Sequence, residues 1–235
     1  MVNPVAYSRR SPLRRRLEKE RAAWGAMGDT AIAESVGRAA AHGGIGIADL
    51  SPLPRLGFKG RGTIAAMQAR DITLEATPNR AFRQADGGLC LVLAPGEVIL
   101  LSNLAGDGER LAQLESGWRI EDEERTYPLP RRDSHAWLAV AGEPLPEMFA
   151  KLCAIDLRRD KFADLAIAQT SIAKMSAILV RADIGPDPVF HLLVDSAAAL
   201  YFCDCLLDAA DEFGGRIVGL KALQKSKANE EDQHA

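Results

Sequence analysis

The segment Arg131-Arg132-Asp133-Ser134-His135-Ala136-Trp137 gathers two guanidiniums, a carboxylate, a hydroxyl, an imidazole and an indole in seven residues. That is more polar chemistry than the apolar strand expected to follow it requires, and it is the leading candidate site. Asp-Ser-His in a row is not a catalytic triad. Adjacent strand residues point to opposite faces, whereas triad members converge in space. Three readings stay open for the segment, in this order: a local Asp/Arg pair with His and Trp packed beneath it, a subunit interface, and catalysis. The candidate interface residues are Arg132, Asp133, His135 and Trp137, with Arg14 and Arg15 near the N-terminus.

Other reactive groups read more plainly. Gly57-Phe58-Lys59-Gly60-Arg61-Gly62-Thr63 lies between an expected strand and helix, where free N–H groups and two cations could hold an anion. Its spacing is neither GxGxxG nor GxxxxGK[ST], so it reads as turn glycines with solvated basic side chains. Cys203 and Cys205 resemble a chelating pair, but residues two apart in a helix face different sides and no third ligand stands at i+3 or i+4. Cys90 and Cys153 fall on apolar faces, where a thiol is a small hydrophobe. Asp204, Asp208 and Asp211 share one helical stripe, which reads as a solvated outer face, and the acidic run Glu121 to Glu124 reads as an exposed loop. His191 sits in an apolar strand as a hydrogen-bonded core residue, while His42 and His234 fall in a linker and a tail. These readings assign no catalytic, cofactor-binding or metal-binding residue.

The chain has 235 residues, 47% hydrophobic, and a net charge of −3, enough material for a sizeable core. Residues 1–21 hold seven Lys/Arg against two Glu, or +5, which leaves −8 for the other 214. An acidic body with one basic arm matches a nucleic-acid backbone poorly; the arm suits a protein partner. The longest apolar run, Ala197 to Cys203, is far short of the roughly 20 residues that cross a bilayer. The N-terminal arginines precede no apolar h-region, and four cysteines in a chain of this length read as reduced thiols. The expected location is the cytoplasm.

The elements that must position these residues repeat. Ser11 and Pro12 predict the start of an amphipathic helix with Leu13, Leu17 and Trp24 on one stripe. Gly25 to Gly44, poor in bulky apolar residues, reads as a linker with a short helix around Thr30 to Ala41, and the folded body is expected from Ile45. A first copy then runs strand Arg55–Lys59, helix Thr63–Arg70, strands Arg80–Ala85, Leu89–Leu93 and Glu97–Ser102, and a helix carrying Leu111, Leu114 and Trp118 on one face. A second runs strand His135–Val140, a helix opened by Pro144 and Pro146 and reaching Cys153, strands Ile167–Ala173, Ala177–Arg181 and Val189–Val194, and a helix Ser196–Phe213 closed by Gly214. Asp86-Gly87-Gly88 and Pro95-Gly96 mark tight turns. The fold class is α+β: two β-α-β-β-β-α pseudo-repeats with largely antiparallel sheets covered by helices on one face. The expected organisation is a basic helix and linker over 1–44, a two-part body over 45–220 (45–120 and 131–220), and a polar tail over 221–235.

Several family-specific phrases join this pattern: Arg132 to Leu138 (RDSHAWL), Ala150 to Leu157 (AKLCAIDL), Ala168 to Ala173 (AQTSIA), Phe190 to Asp195 (FHLLVD), Glu212 to Gly215 (EFGG) and Arg10 to Leu13 (RSPL). With them the chain resembles the gamma (small) subunit of heterotetrameric sarcosine oxidase and of N-methylglutamate dehydrogenase, well over Arg131 to Leu220 and more loosely over Ile45 to Trp118. The resemblance implies a fold like the folate-binding domain of the glycine-cleavage aminomethyltransferase. It also implies alpha-, beta- and delta-type partner subunits that hold FAD, FMN and tetrahydrofolate, with no cofactor on this chain and a structural, noncatalytic role for it. The rival reading from the same fold is a free-standing tetrahydrofolate-binding or aminomethyltransferase-like protein. The first 44 residues are longer and more basic than a minimal member needs, as an extra docking arm would be.

Overall fold

The structure is a computed structural model that describes residues 2–37, 44–119 and 124–224. In chain order it contains α1 (Arg14–Lys19), β1 (Ala22–Met27), β2 (Thr30–Val36), β3 (Gly46–Asp49), β4 (Arg55–Gly60), α2 (Thr63–Gln68), β5 (Arg80–Arg83), β6 (Leu89–Ala94), β7 (Glu97–Leu101) and α3 (Glu109–Gly117). There follow β8 (Thr126–Pro130), β9 (His135–Ala141), α4 (Leu145–Phe149), β10 (Ile167–Ile172), β11 (Met175–Arg181), β12 (Val189–Asp195), α5 (Ala199–Ala210) and β13 (Arg216–Val218). They divide into two compact units, one of Leu53–Ser134 with Leu165–Ile167, the other of the remaining chain.

The first unit holds a five-stranded sheet in the order β5-β6-β7-β4-β8. Every pairing within it is antiparallel. Leu56, Phe58, Cys90, Val92, Val98 and Leu100 line one face and pack against Ala66 and Met67 of α2 and against Trp118 just past α3. Alternation along β4 places its apolar residues on that face. The turn glycines do the work expected of them: Gly87 has φ +83 between β5 and β6, and Asp86 Oδ1 accepts the Gly88 N–H at 2.8 Å. β8 has no counterpart among the strands the sequence predicts; it carries Pro128 and Pro130, and on an edge strand a proline costs no central ladder bond.

The second unit's sheet runs β10-β11-β12-β9-β3-β13, antiparallel in the β11/β12, β12/β9 and β9/β3 pairings and parallel between β13 and β3. The internal repeat is visible in both orders, since β5-β6-β7-β4 corresponds to β10-β11-β12-β9. β9 is central, and Ala136 to Val140 are buried on both faces. Phe149 of α4 meets Phe190 of β12 edge to face at 5.5 Å, and Phe202 of α5 is fully buried. Gly214, at φ +65, closes the helical run after α5 as the sequence predicts.

Five expectations need correction. Gly25 to Val36 is no linker: β1 and β2 form an antiparallel hairpin turned by Gly28 at φ +55, with Ala31, Ile32 and Ala33 buried; residues 38–43 lie outside the described part. The segment after β13 packs close on β2, since a Cβ on Gly219 would come within 2.3 Å of the Glu34 carbonyl. Trp24 therefore belongs to β1, not to a helical stripe, and the ordered body begins well before Ile45, with Leu13 and Leu17 buried. α4 stops at Phe149 short of Cys153, where the Leu152 carbonyl is taken by the Ala173 N–H at 2.9 Å. At the other end, Leu223 is buried and helical, so residues 221–224 are not tail; 225–235 lie outside the described residues. Among the described residues no helix is long and apolar enough to cross a membrane.

Candidate functional site

β4 opens with Arg55, only 3% exposed. Its guanidinium donates to three main-chain carbonyls: Nε to Arg131 at 2.8 Å, Nη2 to Arg132 at 2.6 Å and Nη1 to Leu53 at 3.3 Å. A buried charge thus satisfies carbonyls that no ladder reaches where β8 gives way to β9. The Arg131 side chain turns to Glu97 of β7 at 2.7 Å, and Lys59 takes the other oxygen of the same carboxylate at 2.7 Å. Arg132 and Asp133 are exposed in the turn, and His135 is half-buried at the start of β9.

Two residues further on, Trp137 is 1% exposed, so it presents no surface to a partner, and its place among the interface candidates is corrected. Its indole N–H donates to His191 Nδ1 on the neighbouring β12 at 3.0 Å, with ring centroids 5.7 Å apart. An imidazole accepting at Nδ1 keeps that nitrogen unprotonated, and His191 is the hydrogen-bonded core residue expected of it. The Trp137 main-chain N–H donates to Ser51 Oγ at 3.1 Å. Asp49, ending β3, accepts the Ser51 N–H at 3.0 Å and the Ser11 hydroxyl, and all three residues are buried. Ser11 Oγ in turn accepts the Leu13 N–H at 3.0 Å ahead of α1, and Arg9 donates to the carbonyls of Ser51 and Pro52. This ladder of polar groups fastens the N-terminal segment to the sheet.

The glycine turn carries packing, not phosphate-loop geometry. A Cβ on Gly60 would lie 2.0 Å from the Arg125 carbonyl oxygen and one on Gly62 1.7 Å from that of Glu124. Burial pushes the Cys90 and Cys203 thiols up to about 12, and it raises Cys153 against the pull of the Ile155 backbone hydrogen bond; thiols held protonated are poor nucleophiles. Tyr201, one turn before Cys205, is raised by its hydrogen bond to that thiol. Among the described residues no three His, Cys, Asp or Glu side chains gather as metal ligands. Asp204 and Asp208 are exposed, and Asp204 takes Arg16 of α1 at 2.7 Å. Of the acidic run, Glu124 pairs with Arg70 at 2.8 Å, and residues 121–123, like His42 and His234, lie outside the described residues.

α1 carries the two remaining candidates. Arg14 pairs with Glu18 one turn on, whereas Arg15 is exposed. A depression of about 860 Å³ beside α2 and α3 is lined by Arg70, Asp86, Asp107, Glu109 and Arg110. Both of its guanidiniums are engaged: Arg70 stacks 4.2 Å from the Trp118 ring centroid and holds Glu124, and Arg110 donates to the carbonyls of Arg70 and Asp71. Sequence reasoning missed the buried polar residues Asp49, Ser51, Arg55 and Arg181. Arg181 forks onto Asp183 at 2.9 and 2.6 Å and holds the Phe162 carbonyl. The available signal was a charge set inside an apolar run, as in Ile47-Ala48-Asp49-Leu50 and Ile178-Leu179-Val180-Arg181, since such a charge needs a built partner.

No protein-family model matches the chain, and no curated protein matches it. Solved structures share its fold. A chain of the heterotetrameric sarcosine oxidase from Corynebacterium sp. U-96, determined in complex with pyrrole 2-carboxylate, superposes with TM-score 0.65 at 20% identity, over 88% of this chain and 97% of that one. Glycine cleavage system aminomethyltransferase T from Bartonella henselae superposes with TM-score 0.69 at 16% identity, over 93% of this chain and 62% of that one. The α+β fold of the aminomethyltransferase is therefore the fold of this chain.

Proposed function

We propose that the chain is the gamma-type structural subunit of a flavin-dependent heterotetrameric complex that oxidatively demethylates an N-methyl amino acid, of the sarcosine oxidase or N-methylglutamate dehydrogenase kind. The observation that carries this reading is the near end-to-end correspondence, in both directions, with one chain of a heterotetrameric sarcosine oxidase. Alpha-, beta- and delta-type subunits are its partners. On this reading they hold FAD, FMN and tetrahydrofolate: the amine is oxidised to an imine at FAD, electrons pass to FMN, and tetrahydrofolate captures the one-carbon unit. This chain has no GxGxxG fingerprint for a dinucleotide. The burial of Cys90, Cys203 and His191 inside the units supports a structural role.

A second reading, a tetrahydrofolate-binding aminomethyltransferase-like protein, draws on the superposition with aminomethyltransferase T. The depression beside α2 and α3 fits folate poorly, because neither of its guanidiniums is left for an anionic glutamate tail.

The deciding experiment purifies the tagged chain from its native cell, identifies the accompanying proteins by mass spectrometry and scans the sample for flavin absorbance. Stoichiometric flavoprotein subunits in a yellow sample are the expected result. A colourless, partner-free chain overturns the proposal, and saturable tetrahydrofolate binding by that sample would favour the second reading.

A further inference from the structure

Most of the basic charge of the N-terminal arm is spent within the chain. Arg9 and Arg10 donate to main-chain carbonyls, Arg14 pairs with Glu18, and Arg16 pairs with Glu20 and Asp204. Arg15 and Lys19 are different: one turn apart on the solvent side of α1, they have no ion-pair partner among the described residues. The Arg16–Asp204 bridge ties α1 to α5 between these two cations in sequence, and one turn back from Asp204 stands Leu200. Leu200 and Tyr201 are 51% and 52% exposed, the one adjacent pair among the described large hydrophobics that face solvent. Tyr201 Oη donates to the Ala173 carbonyl at 3.4 Å, which brings the β10–β11 turn to the other side of the pair. The next residue in that turn, Lys174, is again an exposed cation without a partner among the described residues.

We infer that Leu200 and Tyr201, bracketed by Arg15 and Lys19 on one side and Lys174 on the other, form the surface through which this chain docks on a partner protein. That partner presents an apolar recess rimmed by carboxylates. An exposed apolar pair with a charged rim has the composition of an interface, tyrosine supplying contact area and the rim supplying orientation and on-rate. The −8 carried by the rest of the chain opposes a polyanionic nucleic acid or lipid surface spread across the whole molecule. A carboxylate-rimmed recess meets the cationic bracket, while Asp204, the carboxylate one turn from Leu200, is already held by Arg16. The inference rests on the reading that the chain works inside a complex, and its test is separable from that reading.

The test uses the full chain and the partner subunits isolated with it. L200S/Y201S removes the apolar pair; R15Q/K19Q/K174N removes the bracket, with asparagine suited to the left-handed backbone at position 174, where φ is +65. Binding to the purified partner fraction is followed by biolayer interferometry between low and high salt, with thermal melts as the folding control. L200S/Y201S should weaken binding at least tenfold, R15Q/K19Q/K174N at least threefold with a flattened salt dependence, and V5S and Y127S should bind like wild type. Variants that melt normally and keep wild-type affinity and salt slope would overturn the inference. So would an effect confined to self-association of the chain in sedimentation, or to capture by phosphatidylserine vesicles. If wild type itself brings down no partner, the functional reading has failed and not the mapping of its surface.

Discussion

Replacing His191 with leucine separates a core role for the Arg131–Trp137 region from a catalytic one. The substitution nearly conserves volume, so its main effect is to strand the Trp137 indole N–H, 3.0 Å from the lost acceptor and 1% exposed. A buried donor without a partner costs about 1–3 kcal/mol. At roughly 2–4 °C per kcal/mol for a chain of this size, the melting temperature should fall by about 2–12 °C. Trp137→Phe removes the donor instead and adds a cavity, so its own loss is larger and less specific. The double-mutant cycle isolates the bond: the two losses should fall short of additivity by about 1 kcal/mol or more, against the ~0.3–0.5 kcal/mol expected of independent sites. Urea unfolding of the four proteins, followed by tryptophan fluorescence and far-UV circular dichroism, supplies the numbers. Additive losses would refute the bond. Unchanged stability with loss of activity in the assembled complex would refute the core reading altogether and restore catalysis to the segment.

Gly62→Ala should cost about 1–3 kcal/mol because the new Cβ meets the Glu124 carbonyl at 1.7 Å, while Lys59→Ala and Arg61→Ala should each stay within about 1 kcal/mol; urea midpoints check both, and the reverse order would return the turn to an anion-binding role. Arg55→Met strips the carbonyls of Leu53, Arg131 and Arg132 of their donor and should cost at least about 3 kcal/mol, with faster tryptic cleavage after Arg131 and Arg132 as the local readout. Cys90 and Cys203 are held from 9 up to about 12 by burial. A raised folded value means stability intact below pH 9 and lost as pH rises above it, by about 1.4 kcal/mol per pH unit for each thiol. Denaturant titrations at pH 8, 9 and 10 on wild type and C90A/C203A should show the slope in the former and its loss in the latter. The same two thiols should resist a thiol reagent in the native state.

The repeat was legible because its strands are short β-type runs cut by Gly and Asp-Gly turns, and local chemistry decides those. What escaped was decided by distant neighbours. The β1–β2 hairpin looks like a linker because its residues are small, and what makes it a hairpin is the pairing of Ala22–Met27 with Thr30–Val36, which no local apolar pattern announces. The sequence carries α4 past its end because nothing local says that the Leu152 carbonyl is claimed by Ala173, twenty-one residues on. In the candidate site, the residue types were visible and their destinations were not. A strand exposed on one face sorts its residues by alternation, but β9 lies between β12 and β3 and buries Ala136 to Val140 without a break. Alternation therefore could not show that Trp137 turns inward to His191. The near-continuous apolar run from Ala136 to Ala141 is the signal for a central strand, and it favours the reading that packs Trp137 beneath the segment over the one that sets it at an interface.

Where the charged and hydrogen-bonding groups are spent bears on how the chain acts. Arg55 holds the segment between β8 and β9, Arg181 holds Asp183 and the Phe162 carbonyl, Asp49 holds Ser11 and Ser51, and His191 holds Trp137. Each is buried and each is satisfied by the chain itself, so changing one leaves a desolvated partner behind and is read as lost stability. Arg15, Lys19 and Lys174 are solvated, so removing one strands nothing inside, and the change is felt only by whatever charge approaches from outside. If the chain acts by binding, substitutions should sort into two classes with little overlap: core polar changes that lower the melting temperature and weaken assembly only in proportion, and changes around Leu200 that weaken assembly at constant melting temperature. A chain with its own active site would add a third class, polar substitutions that spare both stability and assembly yet abolish turnover. A single such variant among the buried or half-buried residues of Arg131 to Trp137 would be enough to overturn the structural reading.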